Sequence, residues 1–351
     1  MPFRFQLEPP SLIEHFQQHP PQGFALLPGA GAPAFAAPFD LLTTADDELK
    51  RRAATLPLHR HWSRLLRIRT AFVGTTVSEY ALVPPGLPAA ALPASVRAKL
   101  APGHRLSIIK DIPQQSPLLP AEDNAFADAL ADACQQQGFI LVEGQALAYV
   151  PIDFADIDAY LARLSTSRRK NLKRKLRSRA ELQVRRIPTG AAFANDAVVD
   201  AFFALYEGVY AQSEVHFDRL TRDFFAAVLR DEASGGTVFE YRRAADGALL
   251  GWNLCFEHGG KLIDKYIGFA YPAAREANLY FVSWMVNLEY AIERGLSHYV
   301  AGWTDPEVKA QLGAQFSFTR HAVYIRNPLL RAIGRRFAGR FESDRQWSEK
   351  E

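Results

Sequence analysis

The chain has 351 residues, 48% hydrophobic and 12% aromatic, with a formal net charge of +3. That length sets a soft prior of two domains, and the composition excludes a wholly disordered protein. The longest apolar stretches, such as Tyr280 to Val286, fall far short of the roughly 20 residues that span a bilayer.

Two cysteines, Cys134 and Cys255, are too few for a disulfide framework or a cysteine zinc site. The N-terminus has no charged region leading into a long apolar run, so it reads as carrying no signal peptide, and the cytoplasm is the expected compartment. The charge is unevenly spread. Between Arg163 and Arg186 lie eleven Lys/Arg and one acid (Glu181), a local +10, while the rest carries 30 basic and 37 acidic groups. Such asymmetry marks contact with phosphate, an acidic partner or a membrane surface, or else a solvated helix face.

In chain order, the first forty residues are rich in Pro, Gly and Ala and read as loop with short strands. Leu65 to Leu82 has strand composition, Pro93 to Leu100 reads as a helix, and Arg105 to Ile112 as a strand. A helix over Glu122 to Gln137 stops at Gly138. Phe139 to Val142 is a strand with Leu147 to Ile152 as a hairpin partner. Asp153 to Leu164 is a short helix. In the basic segment that follows, Leu161, Leu164, Leu172 and Leu176 share one stripe, which predicts a helix anchored on a core with its cations outward.

The second half predicts a strand at Glu181 to Ile187 and helices at Ala197 to Ala211 and Thr221 to Glu232. Strands follow at Thr237 to Arg242, Leu249 to Glu257 and Lys261 to Phe269, turned at Asp246-Gly247 and Gly259-Gly260. Then come a helix over Asn278 to Arg294, a strand at His298 to Gly302, a short helix at Pro306 to Leu312 and a strand at Phe316 to Ile325. The order βααβββαβαβ is a mixed α/β layer, without the regular βαβ units, GxGxxG or Walker loop of a nucleotide fold. No tandem repeat of solenoid type is visible.

Three segments, with that order, resemble the GNAT acyltransferase superfamily, in the branch of Fem-like aminoacyltransferases and cytosolic N-acyltransferases. They are LSTSRRKNLKRKLR (Leu164 to Arg177), KYIGFAYPAAREANLYF (Lys265 to Phe281) and ERGLSHYVAGWTDPEVKAQLGA (Glu293 to Ala314). The resemblance covers about residues 155 to 325 and implies two tandem GNAT-like halves, the N-terminal one degenerate. The expected division is 1–152 for that half, 153–180 for a basic helical linker, 181–328 for the acyltransferase domain and 329–351 for a basic, polar tail.

In such a fold a primary amine attacks an acyl thioester or aminoacyl ester directly, so no Cys/His or Ser/His/Asp nucleophile is needed. The chemistry needs an anion site for the donor, a stabiliser of the oxyanion and a route for the amine proton. The acetyl-CoA members bind pyrophosphate on a glycine-rich loop at a helix N-terminus. Here the matching stretch runs from Arg275 to Tyr280, with Asn278 and Tyr280 where those glycines would stand. Arg275, Asn278 and Tyr280 are therefore the donor-binding candidates, although Arg275 also fits a surface loop and Asn278 a helix cap.

The next helix is apolar almost all round. Phe281, Trp284, Met285 and Leu288 are assigned to packing, and Asn287 and Tyr290 are the polar positions that can face a cleft. By strand alternation, Asp264, Tyr266 and Gly268 share one face and Asn253, Cys255 and Glu257 another. Glu257, His258 and Asp264 are candidate bases, each also readable as structural. Lys309, in the segment where the Fem-like branch places a lysine by the acyl-transfer centre, is the candidate for holding an oxyanion or a donor phosphate; otherwise it is a solvated helix lysine. Many acetyl-CoA members place there a tyrosine that protonates the departing group. PEVKAQLGA has none, which leaves Tyr266, Tyr280 or Tyr324 for that role. Asn253, Trp303 and Thr304 are read as cleft rim, and Thr304 or Asp305 also as a cap for the following helix.

The densest cations are Arg168, Arg169, Lys170, Lys173, Arg174, Lys175 and Arg177. They suit the phosphates of CoA, the backbone of a tRNA or the acidic face of an acyl carrier protein. His59, His61 and Trp62 form an isolated cluster, read as surface or packing, and the histidine spacing predicts no metal. The functional expectation is an N-acyltransferase acting on an amine or peptide acceptor, with no tightly bound cofactor and an acyl-CoA or acyl-carrier thioester as co-substrate. The alternatives are an aminoacyl-tRNA-dependent transferase and a non-catalytic binding module.

Overall fold

Alternation of apolar residues sets the strands, and the parallel pairs set the connections. The computed structural model describes residues 3–40, 55, 67–213 and 217–337. The cluster at His59, His61 and Trp62 lies outside the described residues. The chain divides into two units, one of residues 1–6, 20–146 and 317–351 and one of residues 7–19 and 147–316. The division is not contiguous in sequence, where contiguous halves were expected: the last strand belongs to the first unit from Ser317 onward, and the basic segment lies within the second.

In the first unit the strands β1 (Ala25–Leu26), β2 (Ala34–Asp40), β3 (Arg67–Val73), β4 (Leu106–Gln114) and β11 (Gln315–Ile325) follow the order β1-β2-β3-β4-β11. β3 and β4 are parallel, matched at Ala71↔Ser107, Phe72↔Ile108 and Val73↔Ile109, and the helix Ala91–Lys99 lies between them in sequence. The other neighbours are antiparallel. Helix Ala121–Gln136 buries Ala127, Leu130, Ala131 and Cys134 and ends at Gly138, whose φ of 90° only glycine takes without strain.

The second unit holds β5 (Ile140–Pro151, from Leu147 onward), β6 (Leu182–Pro188), β7 (Gly236–Arg243), β8 (Leu249–His258), β9 (Lys261–Phe269) and β10 (His298–Gly302), in the order β5-β10-β9-β8-β7-β6. Only β9 and β10 are parallel, joined by the long helix Leu279–Glu293. That helix is buried because it is apolar on nearly every side: Leu279, Val282, Trp284, Met285 and Leu288 are all within the core. The opposite face of the sheet carries an aromatic layer. Trp252 stacks on Phe202 and meets Phe225 edge-on, and its indole Nε1 donates to the Phe202 carbonyl at 2.9 Å. The strand and helix order from β6 to β11 is the βααβββαβαβ expected, with one added helical turn at Ala273–Glu276 before the long helix.

Four local expectations are corrected. Pro10–Gln18 is a helix, not loop: Pro10 opens it, and Leu12, Ile13 and Phe16 are buried at helical spacing. Residues 140–151 form one continuous strand instead of a hairpin. Gly144 serves close approach there, since a Cβ on it would collide with the Thr319 hydroxyl. Strand β3 ends at Val73, because Gly74 turns the chain at φ 121°. The tail begins with a helix, Pro328–Phe337.

Gly251 sets how closely the long helix approaches β8. A Cβ there would lie 2.6 Å from Leu279 Cδ2 and from Phe269 Cδ1. Gly251→Ala should therefore lower stability by about 1–3 kcal/mol through overpacking, read as a reduced urea midpoint with an unchanged slope.

Candidate active site

The site forms where the parallel pair opens. β9 and β10 are matched at His298↔Lys261, Tyr299↔Leu262 and Val300↔Ile263, and beyond those residues each strand keeps only its outer neighbour. In open α/β sheets ligands bind at such carboxyl ends of parallel strands. The fork leaves the carbonyls of Ala301 and Gly302 without a strand partner on the β9 side. Lys309 answers them: its Nζ donates to Ala301 O at 2.7 Å and Gly302 O at 3.2 Å, and the residue is 4% exposed. The short helix Pro306–Gln311 delivers this lysine from an Asp305 held at φ 53°. Gly302, at φ 78°, passes the opposite limb closely enough that a Cβ would lie 3.9 Å from the Asp264 carbonyl.

Asp264 occupies the other limb. Its Oδ2 accepts from Tyr299 OH at 2.8 Å and Asn287 Nδ2 at 2.9 Å. Its Oδ1 has only longer contacts, to Asn253 Nδ2 at 3.4 Å and Cys255 Sγ at 3.5 Å. The network continues through Asn253 to Tyr241 OH at 2.8 Å and to Asn287 Oδ1 at 3.0 Å. Burial pushes the Asp264 carboxyl above the usual carboxylate range, against the Tyr299 hydrogen bond and the Lys309 charge. Burial and the Asp264 charge together hold the Cys255 thiol protonated, well above its ordinary value.

A bulge decides which side chains reach this network. β8 pairs Leu254 with Tyr266 but Cys255 with Asp264, so Lys265 is an extra residue in β9. The extra residue turns Asp264 onto the face of Asn253 and Cys255, under the long helix. Tyr266 is left on the opposite face, edge-on to Phe224 and Phe225. The alternation that put Asp264 and Tyr266 together is thus overturned. Lys265 itself is directed to Glu8, Nζ to Oε1 3.8 Å, with both side chains almost fully buried.

The other candidates fall into two groups. Tyr280 belongs with the fork: its hydroxyl is buried without a hydrogen-bond partner among the described residues, and burial first, then the charges of Asp305 and Asp264, raise its pKa. Trp303 and Thr304 follow Gly302 in the chain, Trp303 part-buried and Thr304 exposed. Glu257 stands apart. Burial alone would raise its pKa, but Tyr290 OH and the Arg294 guanidinium hold it below the usual range, as a brace at the strand end. His258 is part-buried beside it, with its pKa lowered by burial and by Lys261. Arg275 is exposed, bonded to Gln212 and 5.0 Å over the Tyr271 ring. Tyr324 lies in the first unit.

The expected anion loop has a different structure. Residues Ala273–Glu276 form a helical turn, and Asn278 starts the long helix at φ 50° with no side-chain cap. The backbone N–H groups of Ala274, Arg275, Glu276, Ala277 and Asn278 all donate to nearby carbonyls.

The basic helix Thr166–Lys175 is capped by Ser165 and seated through Leu172. Arg168 donates to Ala310 O at 3.4 Å, beside Lys309 in sequence, and Lys175 lies 3.4 Å over the Phe281 ring. Lys173 pairs loosely with Asp158, and Arg174 bonds Asn171. Arg169, Lys170 and Arg177 make no side-chain hydrogen bond or ion pair among the described residues. Tyr299 and Tyr241 escaped sequence reasoning; Tyr299 carried no signal beyond a polar tip in an apolar strand. No group of three metal-ligating side chains occurs among the described residues, and none of their helices is long and apolar enough to cross a membrane.

The raised pKa of Asp264 has a consequence for stability. The folded state then binds its proton more tightly than the unfolded chain, so the carboxylate costs stability once pH rises above the ordinary carboxylate range. Asp264→Asn should match the wild type at acid pH and exceed it in melting temperature as pH rises through the raised pKa. Melts across a pH series check this.

Comparison with known proteins places the architecture. Residues 106–350 match the FemAB-like family, described as peptidoglycan biosynthesis/recognition. The fold is similar to the C-terminal domain of a putative lysylphosphatidylglycerol synthetase from Agrobacterium fabrum, at 12% identity over 93% of this chain and 90% of that one, with a TM-score of 0.54. It is similar to FemX at 12% identity over 92% and 97%, TM-score 0.51, and to L-PGS from Bacillus licheniformis at 12% over 95% and 98%, TM-score 0.50. No curated protein matches the chain. The family match spans well over half of the sequence, and the chain belongs to the FemAB-like family, in the Fem-like branch of GNAT-fold acyltransferases.

Proposed function

We propose that this protein transfers an aminoacyl group from a tRNA-borne ester to a primary amine. The observation that carries the donor choice is the turn at 273–278. A pyrophosphate needs a run of free backbone N–H groups in the loop that leads into a helix, and here those of residues 274–278, the turn before Leu279, are already bonded to carbonyls. The exposed basic helix beside the Lys309 segment suits a polyanionic backbone instead.

In this reading a neutral amine enters the fork, its nitrogen attacks the ester carbonyl to form the C–N bond, and Lys309 Nζ turns its positive charge to the oxyanion. The nitrogen, cationic once bonded, gives one proton to the loosely bonded Oδ1 of Asp264. Collapse of the oxyanion breaks the C–O bond. The departing ribose oxygen takes a proton from the Tyr280 hydroxyl, which is restored from Asp264 through solvent. The acceptor is an amine of a small molecule or peptide.

A second reading keeps the same centre with an acyl-CoA or acyl-carrier thioester, since the cations of the basic helix also suit those donors. Gel shifts with charged tRNA at moderate salt, set against calorimetry with acyl-CoA, separate the two. The expected result is a tRNA complex that weakens with salt and with Lys170→Glu/Lys173→Glu, and no acyl-CoA heat. Acyl-CoA binding without a tRNA complex would reverse the assignment. Lys309→Ala should keep the tRNA shift and lose transfer by about 10²–10³-fold. Unchanged transfer would remove Lys309 from the centre and favour a binding module.

A further inference from the structure

The helix Pro328–Phe337 is built inside out. Of the four large apolar side chains exposed among the described residues, three lie on it: Leu329 at 75%, Leu330 at 57% and Ile333 at 52%. At 3.6 residues per turn they form one stripe. The opposite side meets the body of its own unit. A Cβ on Gly334 would lie 3.1 Å from Ile140 Cδ1 and Ile325 Cδ1, and Arg331 stacks over Tyr324 at 4.7 Å. A helix held only by packing would turn its leucines inward and its arginines outward. Here the apolar stripe faces solvent.

The charge on the helix itself is of one sign. Residues 326–337 contain Arg326, Arg331, Arg335 and Arg336 and no acid. Arg326, Arg335 and Arg336 are exposed. Arg97 joins Arg331 at the Tyr324 ring, 5.6 Å from its centroid. Burial would raise the Tyr324 hydroxyl, yet Arg331 and Arg97 hold its pKa below the ordinary value, as a concentrated positive field requires.

We propose that this helix docks on an anionic bilayer surface. Leu329, Leu330 and Ile333 enter the apolar edge of the headgroup layer, and Arg326, Arg335 and Arg336 meet lipid phosphates. An exposed apolar stripe flanked by arginines is the pattern of an interfacial helix. A second copy of the chain fits less well. Three side chains fall far short of the roughly 800 Å² per partner of a standard interface, and pairing two such helices brings like charges together. The docking does not depend on the reaction proposed above.

The test is sedimentation of the full chain with vesicles of equal parts phosphatidylcholine and phosphatidylglycerol, and with phosphatidylcholine alone. The wild type should pellet with the anionic vesicles and not with the neutral ones. Leu329→Asp/Leu330→Asp/Ile333→Asp should weaken that binding at least about tenfold with unchanged circular dichroism. Arg335→Glu/Arg336→Glu should remove the preference for anionic lipid. A wild type that stays in the supernatant with anionic vesicles overturns the proposal. So does a triple variant that binds as the wild type does, which would assign the binding to the helix Thr166–Lys175. A solution mass that doubles with concentration only in the wild type would assign the stripe to a second copy.

Discussion

The second unit is organised around two parallel strands that cannot stay together. β9 and β10 share three pairs of residues and then part. Parting leaves backbone carbonyls that must find donors, because a buried carbonyl without one costs free energy. Lys309 supplies them by burying an ammonium group against Ala301 and Gly302. A buried cation is tolerated only where hydrogen bonds and opposite charge compensate its lost hydration, and Asp264 provides that charge. The opening, the lysine and the raised carboxyl are therefore one arrangement, in which the carboxylate favours the lysine and is itself disfavoured by burial.

The first unit repeats the plan with different occupants. β3 and β4 also share three parallel pairs, and β4 bulges directly after them, opposite His321, as β10 bulges after its own. The bulges carry a positive φ at equivalent places, 57° at Asp111 and 78° at Gly302. In the first unit Lys110 bonds both the Thr75 carbonyl and the neighbouring Asp111 carboxylate, and the Asp111 N–H donates to His321 Nδ1 at 3.0 Å. Cation and carboxylate there satisfy each other. In the second unit they stand on separate elements, and one carboxylate oxygen keeps only long contacts. The repeat is one of backbone geometry, which explains why no sequence repeat announces it.

What could be read from the sequence follows the range of each interaction. The strands and helices of the second unit were legible because alternation and helical spacing act within a few residues. The stripe of Leu161, Leu164, Leu172 and Leu176 was legible for the same reason, and three of the four are buried with Leu176 packed against the same core. The N-terminal helix was obscured by the prolines and glycines around it. A hairpin was expected between Val142 and Leu147; Gly144 there serves close approach to Thr319, a need that its letter does not distinguish from a positive φ.

The sequence by itself determined the order of the main strands and helices from β6 to β11, the concentration of cations before β6, and the presence of Lys309, Asp264 and Tyr280 as polar groups in apolar surroundings. Only the tertiary structure decided which of them meet. One extra residue in β9, Lys265, moves Asp264 onto the face of Asn253 and sends Tyr266 to the aromatic layer. A bulge is a property of two paired strands and leaves no mark in either strand alone. Likewise, Glu257 is committed to Tyr290 and Arg294 through contacts more than thirty residues away in sequence. The charge and the period of a residue are local facts, and its partner is not.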